Sequence, residues 1–145
     1  MMNYNYKKGN LFFDDLNIKN ITEEIQTPFY CYSLNYLKDQ YSSLDNSINL
    51  KDYEICYAVK SNSNQSIIKN FANMGSGADG VSIGEMKRAL KANIPPNKIV
   101  FSGVGKNSNE IRFALENDIL MFNVESVSEL KKISDEALSQ SKKAP

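Results

Sequence analysis

A regular alternation of strand-like and helix-like segments constrains the fold more than any other feature of this sequence. Four short segments predict strands, at Tyr53–Val59, which is rich in β-branched and aromatic residues, and at Ala78–Val81, Lys98–Ser102 and Ile119–Val124. Each is followed by a segment with apolar residues at helical spacing. Single helices between successive strands are typical of βαβ units, whose strands pair in parallel. The sequence therefore predicts an α/β fold with a parallel sheet.

The number of these units limits the architecture. A complete (β/α)8 barrel needs eight units and ~250 residues, whereas this chain has 145 residues and four predicted units. We therefore expect a partial (β/α)8 TIM-type barrel of about four βα units, or alternatively a small open α/β domain. Residues 139–145 are polar and contain no fifth strand, so we expect a truncated chain.

Capping signals mark the starts of the helices. Ser82 and Ser126 are each followed three residues later by a glutamate, which is the pattern of a capping box, and Asn107 precedes Glu110 in the same way. Upstream, residues 1–26 show little periodicity. Further predictions are a short strand at Phe29–Tyr32 and an amphipathic helix over residues 34–49, with Ser33 as its N-cap.

Composition excludes several kinds of function. The chain has 17 basic and 17 acidic residues, so its net charge does not favour nucleic acid or an anionic membrane. Histidine is absent, which excludes histidine ligands, histidine general bases and Ser-His or Cys-His nucleophiles within the chain. Cys31 and Cys56 are too few for a zinc site or a disulfide framework, and we expect small buried apolar side chains and no metal. Without a leader or a membrane-length apolar run, we expect a soluble, cytoplasmic protein.

Lys60 is the main candidate for chemistry. It follows the apolar run 55–59 and so lies at the C-terminal end of a predicted buried strand, where barrels of parallel strands carry catalytic groups. Partial desolvation there would favour a neutral amine, the form that reacts with an aldehyde. The alternative is an ordinary lysine that reaches solvent.

Other polar residues follow the remaining strands. Asp79, Ser102 and Glu125 are predicted to share the rim of the sheet with Lys60, although polar loops are common at any sheet edge. Glu85 is a weaker candidate because the capping box gives it a structural role. Residues 75–80 match G-x-G-x-x-G, but a predicted helix precedes them and a strand follows, so they end a helix rather than bind a dinucleotide.

Five segments in order resemble the barrel-fold, pyridoxal-phosphate-dependent amino-acid decarboxylases. Residues 57–62 (Tyr-Ala-Val-Lys-Ser-Asn) are similar to the Y-A-V-K-A/C-N motif of this family, and residues 77–85 to its G-A-D-V-V-S-G-G-E segment. Three further segments are similar to other segments shared by the family, in the same order: residues 27–32, 98–106 and 123–130. Within the family, the pattern is most similar to members that decarboxylate meso-diaminopimelate to lysine. Decarboxylation of ornithine, arginine or a carboxylated polyamine is the alternative, as is a non-catalytic remnant that binds pyridoxal phosphate.

The resemblance implies roles for particular residues. Lys60 would be the catalytic residue that binds pyridoxal 5'-phosphate covalently, with Ala58 under the cofactor ring and Asp79 beside the cofactor. Glu85 would line the cleft for a small amino-acid substrate. One departure is Ile83, which stands where the family usually has glycine.

The resemblance also implies a domain organisation. Residues 1–26 would be an N-terminal segment that, in the family, associates with a C-terminal β-domain, and residues 27–145 the N-terminal half of the cofactor-binding barrel. Full-length members are implied to be homodimers. Because further cofactor contacts of the family lie on later strands, we expect the 145-residue chain alone to be inactive.

Overall fold

The chain forms two units, Met1–Asn49 and Leu50–Pro145, in the computed structural model, which describes residues 4–145. The first unit begins with an antiparallel sheet and continues with two helices. Its elements are β1 (Tyr4–Lys7), β2 (Asn10–Phe13), β3 (Leu16–Asn17), α1 (Ile18–Glu24) and α2 (Leu34–Ser47). The sequence predicts neither this sheet nor α1, because strands of two to four largely exposed residues carry no apolar alternation.

One prediction for this unit is confirmed and another is wrong. Ser33 caps α2 as predicted, since its hydroxyl accepts a hydrogen bond from the Tyr36 N–H at 2.9 Å and donates to the Asp14 carboxylate. The predicted strand at Phe29–Tyr32 is irregular structure. Tyr30 and Tyr32 are exposed there and stack on each other. Aromatic composition favoured a strand, but within the described residues this segment pairs with none.

The second unit is built on a parallel sheet in which each strand neighbours the next one along the chain. Its strands are β4 (Cys56–Ala58), β5 (Gly77–Gly80), β6 (Ile99–Phe101) and β7 (Met121–Phe122), in the order β4-β5-β6-β7. One helix follows each strand: α3 (Gln65–Asn73), α4 (Ile83–Lys91), α5 (Ser108–Glu116) and α6 (Val127–Ser139). The predicted α/β class and parallel sheet are confirmed.

The two faces of this sheet differ in burial. Alternate strand residues face the helices and form the core, which includes Ala78, Ile99, Phe101 and Phe122 together with Ile68, Met86, Ile111 and Ile133. Burial of the isoleucine, methionine and phenylalanine side chains among them stabilises the fold by roughly 1.5–3 kcal/mol each. The opposite face carries four residues in register, Ala58, Asp79, Val100 and Met121, which are half-buried or exposed. We call these four residues the far face.

Side-chain caps start the helices of the second unit, but only one forms a complete capping box. Asn107 and Glu110 bond reciprocally. Ser82 and Ser126 accept hydrogen bonds from the N–H groups three residues on, as predicted. Their glutamates do not bond back to the cap, because each carboxylate has another partner, so the two predicted boxes are only half formed.

The Ser82→Ala variant is expected to lose about 0.5–2 kcal/mol of unfolding free energy, because the first turn of α4 loses its cap. Urea denaturation measures the change. Ser134→Ala, at an exposed position within α6, is the matched control and should leave stability unchanged within about 0.5 kcal/mol. Equal midpoints for the two variants would contradict the capping role.

Within residues 4–145, no helix is both long and apolar enough to cross a membrane.

Candidate functional site

Lys60 lies in a single 3-10 turn, Val59–Ser61, directly after β4. Val59 is fully buried and anchors the turn in the core. The Ser61 hydroxyl donates a hydrogen bond to the Ala58 carbonyl oxygen at 2.7 Å. The backbone at Lys60 is therefore fixed by its two neighbours.

Tyr57, which packs against the core, stabilises the same turn. Its ring stacks on Phe71 with centroids 4.3 Å apart. Its hydroxyl donates to the Asn62 carbonyl oxygen at 2.9 Å and lies 3.1 Å from the Ser61 hydroxyl. The apolar and aromatic residues of the Tyr-Ala-Val-Lys-Ser-Asn segment thus hold the strand end that presents Lys60.

The predicted desolvation of Lys60 is wrong for this chain. Its side chain is exposed, because β4 ends at Ala58 and the turn carries Lys60 beyond the sheet. Burial by the described residues therefore does not support Lys60 as a nucleophile. Its candidacy depends on its place at the strand end.

Asp79 and Ala58 lie side by side on the far face. They are register partners on neighbouring parallel strands, and strands in such sheets are ~4.8 Å apart. The methyl group of Ala58 occupies little space above the sheet, so a flat group could lie over it next to the Asp79 carboxylate. Both side chains are half-buried.

A chain of hydrogen bonds fixes the Asp79 carboxylate at the rim. The Ser102 hydroxyl donates to Asp79 Oδ1 at 2.5 Å, and Asn123 Nδ2 donates to Ser102 Oγ at 2.8 Å. We call Asp79, Ser102 and Asn123 the rim chain. It links the C-terminal ends of β5, β6 and β7.

Ser102 is a rim residue as predicted, but after β7 the rim residue is Asn123 and not the predicted Glu125. The predicted fourth strand ran to Val124, whereas β7 ends at Phe122. Phe101 and Phe122 are register partners, so the residues after them, Ser102 and Asn123, occupy equivalent positions. Glu125 lies exposed in the following loop.

Glu85 supports the turn between β5 and α4. Its carboxylate accepts a hydrogen bond from the Val81 N–H at 2.7 Å instead of from the Ser82 N–H of a capping box. Its assignment to a substrate cleft stays a prediction.

A buried lysine, Lys106, lies beneath the rim, and the sequence does not predict it as a site residue. The Lys106 side chain is 1% exposed. Its ammonium donates to the carbonyl oxygens of Gly103 and Asn123, both at 2.7 Å, and to Glu129 Oε1 at 2.6 Å. These three acceptors satisfy all three of its N–H donors. Its place in the matched segment 98–106 was the only sequence signal for a buried role.

Cys31 is exposed, so its predicted burial is wrong, and Cys56 is half-buried in β4. Burial raises the pKa of its thiol, and the nearby carboxylates of Glu54 and Asp79 raise the pKa further. Among the described residues, no group of three or more His, Cys, Asp or Glu side chains could hold a metal ion.

Comparisons with known proteins agree on one family. The family model described as "Pyridoxal-dependent decarboxylase, pyridoxal binding domain" matches residues 34–142. Diaminopimelate decarboxylase of Aquifex aeolicus is 42% identical over 139 residues, covering 96% of this chain and 33% of that protein. The Helicobacter pylori enzyme is 50% identical over 125 residues, covering 86% of this chain and 30% of its own length.

A solved structure gives the same result. The crystal structure of diaminopimelate decarboxylase from Helicobacter pylori complexed with L-lysine superposes with a TM-score of 0.85 and 47% identity, covering 88% of this chain and 32% of that chain. The present chain spans about a third of the length of the curated relatives that it matches.

Proposed function

The chain belongs to the pyridoxal-dependent decarboxylases, and from this we propose that it takes part in the decarboxylation of meso-diaminopimelate to lysine. The names of its relatives support this substrate, as does the L-lysine bound in the Helicobacter pylori structure. The observation that carries the proposal is the placement of Lys60 at the end of β4, next to Ala58 and Asp79 on the far face.

The residues present fit pyridoxal phosphate. A primary amine can bind the cofactor aldehyde covalently, and Lys60 offers one at the strand end. Ala58 leaves room for a planar ring above the sheet, and Asp79 supplies a carboxylate that Ser102 holds in place. We assign covalent binding to Lys60, contact with the ring to Ala58, and a polar contact with the cofactor to Asp79. Glu85 is assigned to the substrate cleft.

When bound, pyridoxal phosphate accepts the electron pair released from the substrate α-carbon as carbon dioxide leaves. The chain's own residues would hold and orient the cofactor. Lys60 Nζ would hold the cofactor covalently at the end of β4. The Asp79 carboxylate keeps one orientation because Oδ1 accepts the Ser102 hydrogen bond. Productive geometry of this kind supplies much of the rate enhancement in such sites.

Family membership supports several wider proposals. Residues 27–145 would be the first half of a closed (β/α)8 barrel, and residues 1–26, of which 1–3 lie outside the described part, would associate with a C-terminal β-domain. The whole protein would be a cytoplasmic homodimer that acts on a small amino acid and binds neither nucleic acid nor membrane.

The substrate is tested with protein expressed from the complete reading frame that encodes residues 1–145. Loaded with pyridoxal phosphate, it is expected to convert meso-diaminopimelate to lysine and carbon dioxide with the highest kcat/KM among the compounds compared. Ornithine, arginine and a carboxylated polyamine are assayed in parallel. A higher kcat/KM on one of these would assign that substrate instead, and no turnover of any would indicate a non-catalytic protein. The 145-residue chain alone is expected to show no turnover.

A further inference from the structure

Lys106 is a buried cation for which the proposed function has no role. Its ammonium holds the carbonyl oxygens of Gly103 and Asn123, which belong to the loops after β6 and after β7. Glu129, in the first turn of α6, neutralises it. The pair therefore fixes two rim loops relative to one another.

One of these loops carries the end of the rim chain. The backbone carbonyl of Asn123 accepts from Lys106, while its side chain donates to Ser102, which in turn donates to Asp79. The position of the Asn123 backbone therefore determines whether its amide reaches Ser102. Through these contacts, Lys106 is connected to the carboxylate on the far face.

We propose that Lys106, neutralised by Glu129, is a positioning residue that aligns the rim chain and so orients Asp79 toward the cofactor. The inference rests on the proposed function for the identity of the cofactor, and on the contacts of the described residues for the alignment. Lys106 itself touches neither substrate nor cofactor in this assignment.

If the Lys106–Glu129 ion pair were purely structural, two apolar side chains could replace it. Buried ion pairs can often be exchanged for apolar side chains of similar size without loss of stability. Here an apolar pair would leave the carbonyls of Gly103 and Asn123 without their donor. A pocket of about 240 Å³ beside the pair, lined in part by Gly105, Ser126 and Lys132, is open to solvent, so water has access to the space that the ammonium leaves. Stability and alignment can therefore be separated by mutation.

The test compares Lys106→Met with the double variant Lys106→Met/Glu129→Leu in protein from the complete reading frame. We expect the single variant to lower the melting temperature, because Glu129 is left buried without its partner, and the double variant to recover most of the loss. Both should bind pyridoxal phosphate about tenfold more weakly and lose a similar factor in kcat/KM for meso-diaminopimelate. Lys131→Met, at an exposed position on α6, is the matched control and should equal wild type.

A double-mutant cycle on cofactor affinity distinguishes alignment of the rim chain from a purely structural role of Lys106. Ser102→Ala should weaken cofactor binding by a similar factor, and adding it to the Lys106→Met/Glu129→Leu variant should cause little further loss, since both interrupt the same chain. Additive losses would overturn the inference. Cofactor affinity equal to wild type in the Lys106→Met/Glu129→Leu variant would overturn it too.

The alignment is also measured without cofactor. In a crystal structure of the double variant, the distance from Asn123 Nδ2 to Ser102 Oγ should exceed hydrogen-bond range, and retention of the present 2.8 Å would overturn the inference. Failure of the wild-type protein to bind pyridoxal phosphate would overturn the proposed function alone, and this distance would still decide whether Lys106 aligns the rim chain.

Discussion

Replacing Lys60 with alanine is expected to reduce turnover by the complete, cofactor-loaded protein to the level of free pyridoxal phosphate in solution. No other side chain of the strand end supplies a primary amine for the cofactor aldehyde, since Ala58, Val59 and Ser61 surround it. Borohydride reduction after incubation with pyridoxal phosphate, followed by peptide mapping, should place the label on the peptide that contains residues 57–62. Steady-state assays on the substituted protein measure the loss.

Lys91→Ala is the matched control for this experiment. Lys91 is also exposed and ends α4, but it does not follow a strand. The control should keep wild-type turnover and wild-type labelling of residues 57–62. Activity retained by Lys60→Ala, or label spread evenly over surface lysines, would refute the assignment of Lys60.

Gly77→Ala is expected to lower the free energy of unfolding by about 3 kcal/mol, the upper end of the usual range for overpacking. An added Cβ at Gly77 would collide with the backbone carbonyl oxygen of Lys98 and lie 2.8 Å from Cys56 Sγ. The first is main chain at the start of the neighbouring strand, so relief requires β5 and β6 to move apart. Urea denaturation of both proteins gives the difference.

Gly84→Ala is the control, because the added Cβ would have no atom nearer than Ser82 Oγ at 3.8 Å. Gly84 lies in the first turn of α4, where alanine favours the helix, so this variant should gain about 0.5–1 kcal/mol. A loss at Gly84 as large as that at Gly77 would show that the contact with Lys98 is not the cause.

The parallel sheet could be predicted from the sequence because each unit carries its own signals. A short strand, a polar cap and an amphipathic helix recur in order, and the predicted caps Ser82, Asn107 and Ser126 all accept backbone hydrogen bonds in the structure. Strand ends were less predictable. Apolar residues such as Val124 extend the pattern beyond the point where backbone pairing stops, which is why β7 was predicted too long.

The positions in the candidate site were predictable only where a residue's place in a strand defines them. Lys60, Asp79 and Ser102 follow from strand ends, whereas the role of Lys106 depends on three acceptors from separate parts of the chain. Two of these acceptors are main-chain carbonyls, which the residue types in the sequence do not reveal. Glu129 was assigned to a capping box for the same reason, because its partner 23 residues away is visible only in the fold.

The strand order β4-β5-β6-β7 also has a consequence for how the second unit forms during synthesis. In the described part of this unit, β5, β6 and β7 each pair with the strand made immediately before them, so none of these three pairings waits for a distant segment. Loop closure between neighbours spans one helix only, which keeps contact order low for a parallel sheet. The sheet can therefore lengthen by one strand and one helix at a time as the polypeptide leaves the ribosome, each new unit docking on an edge that is already folded.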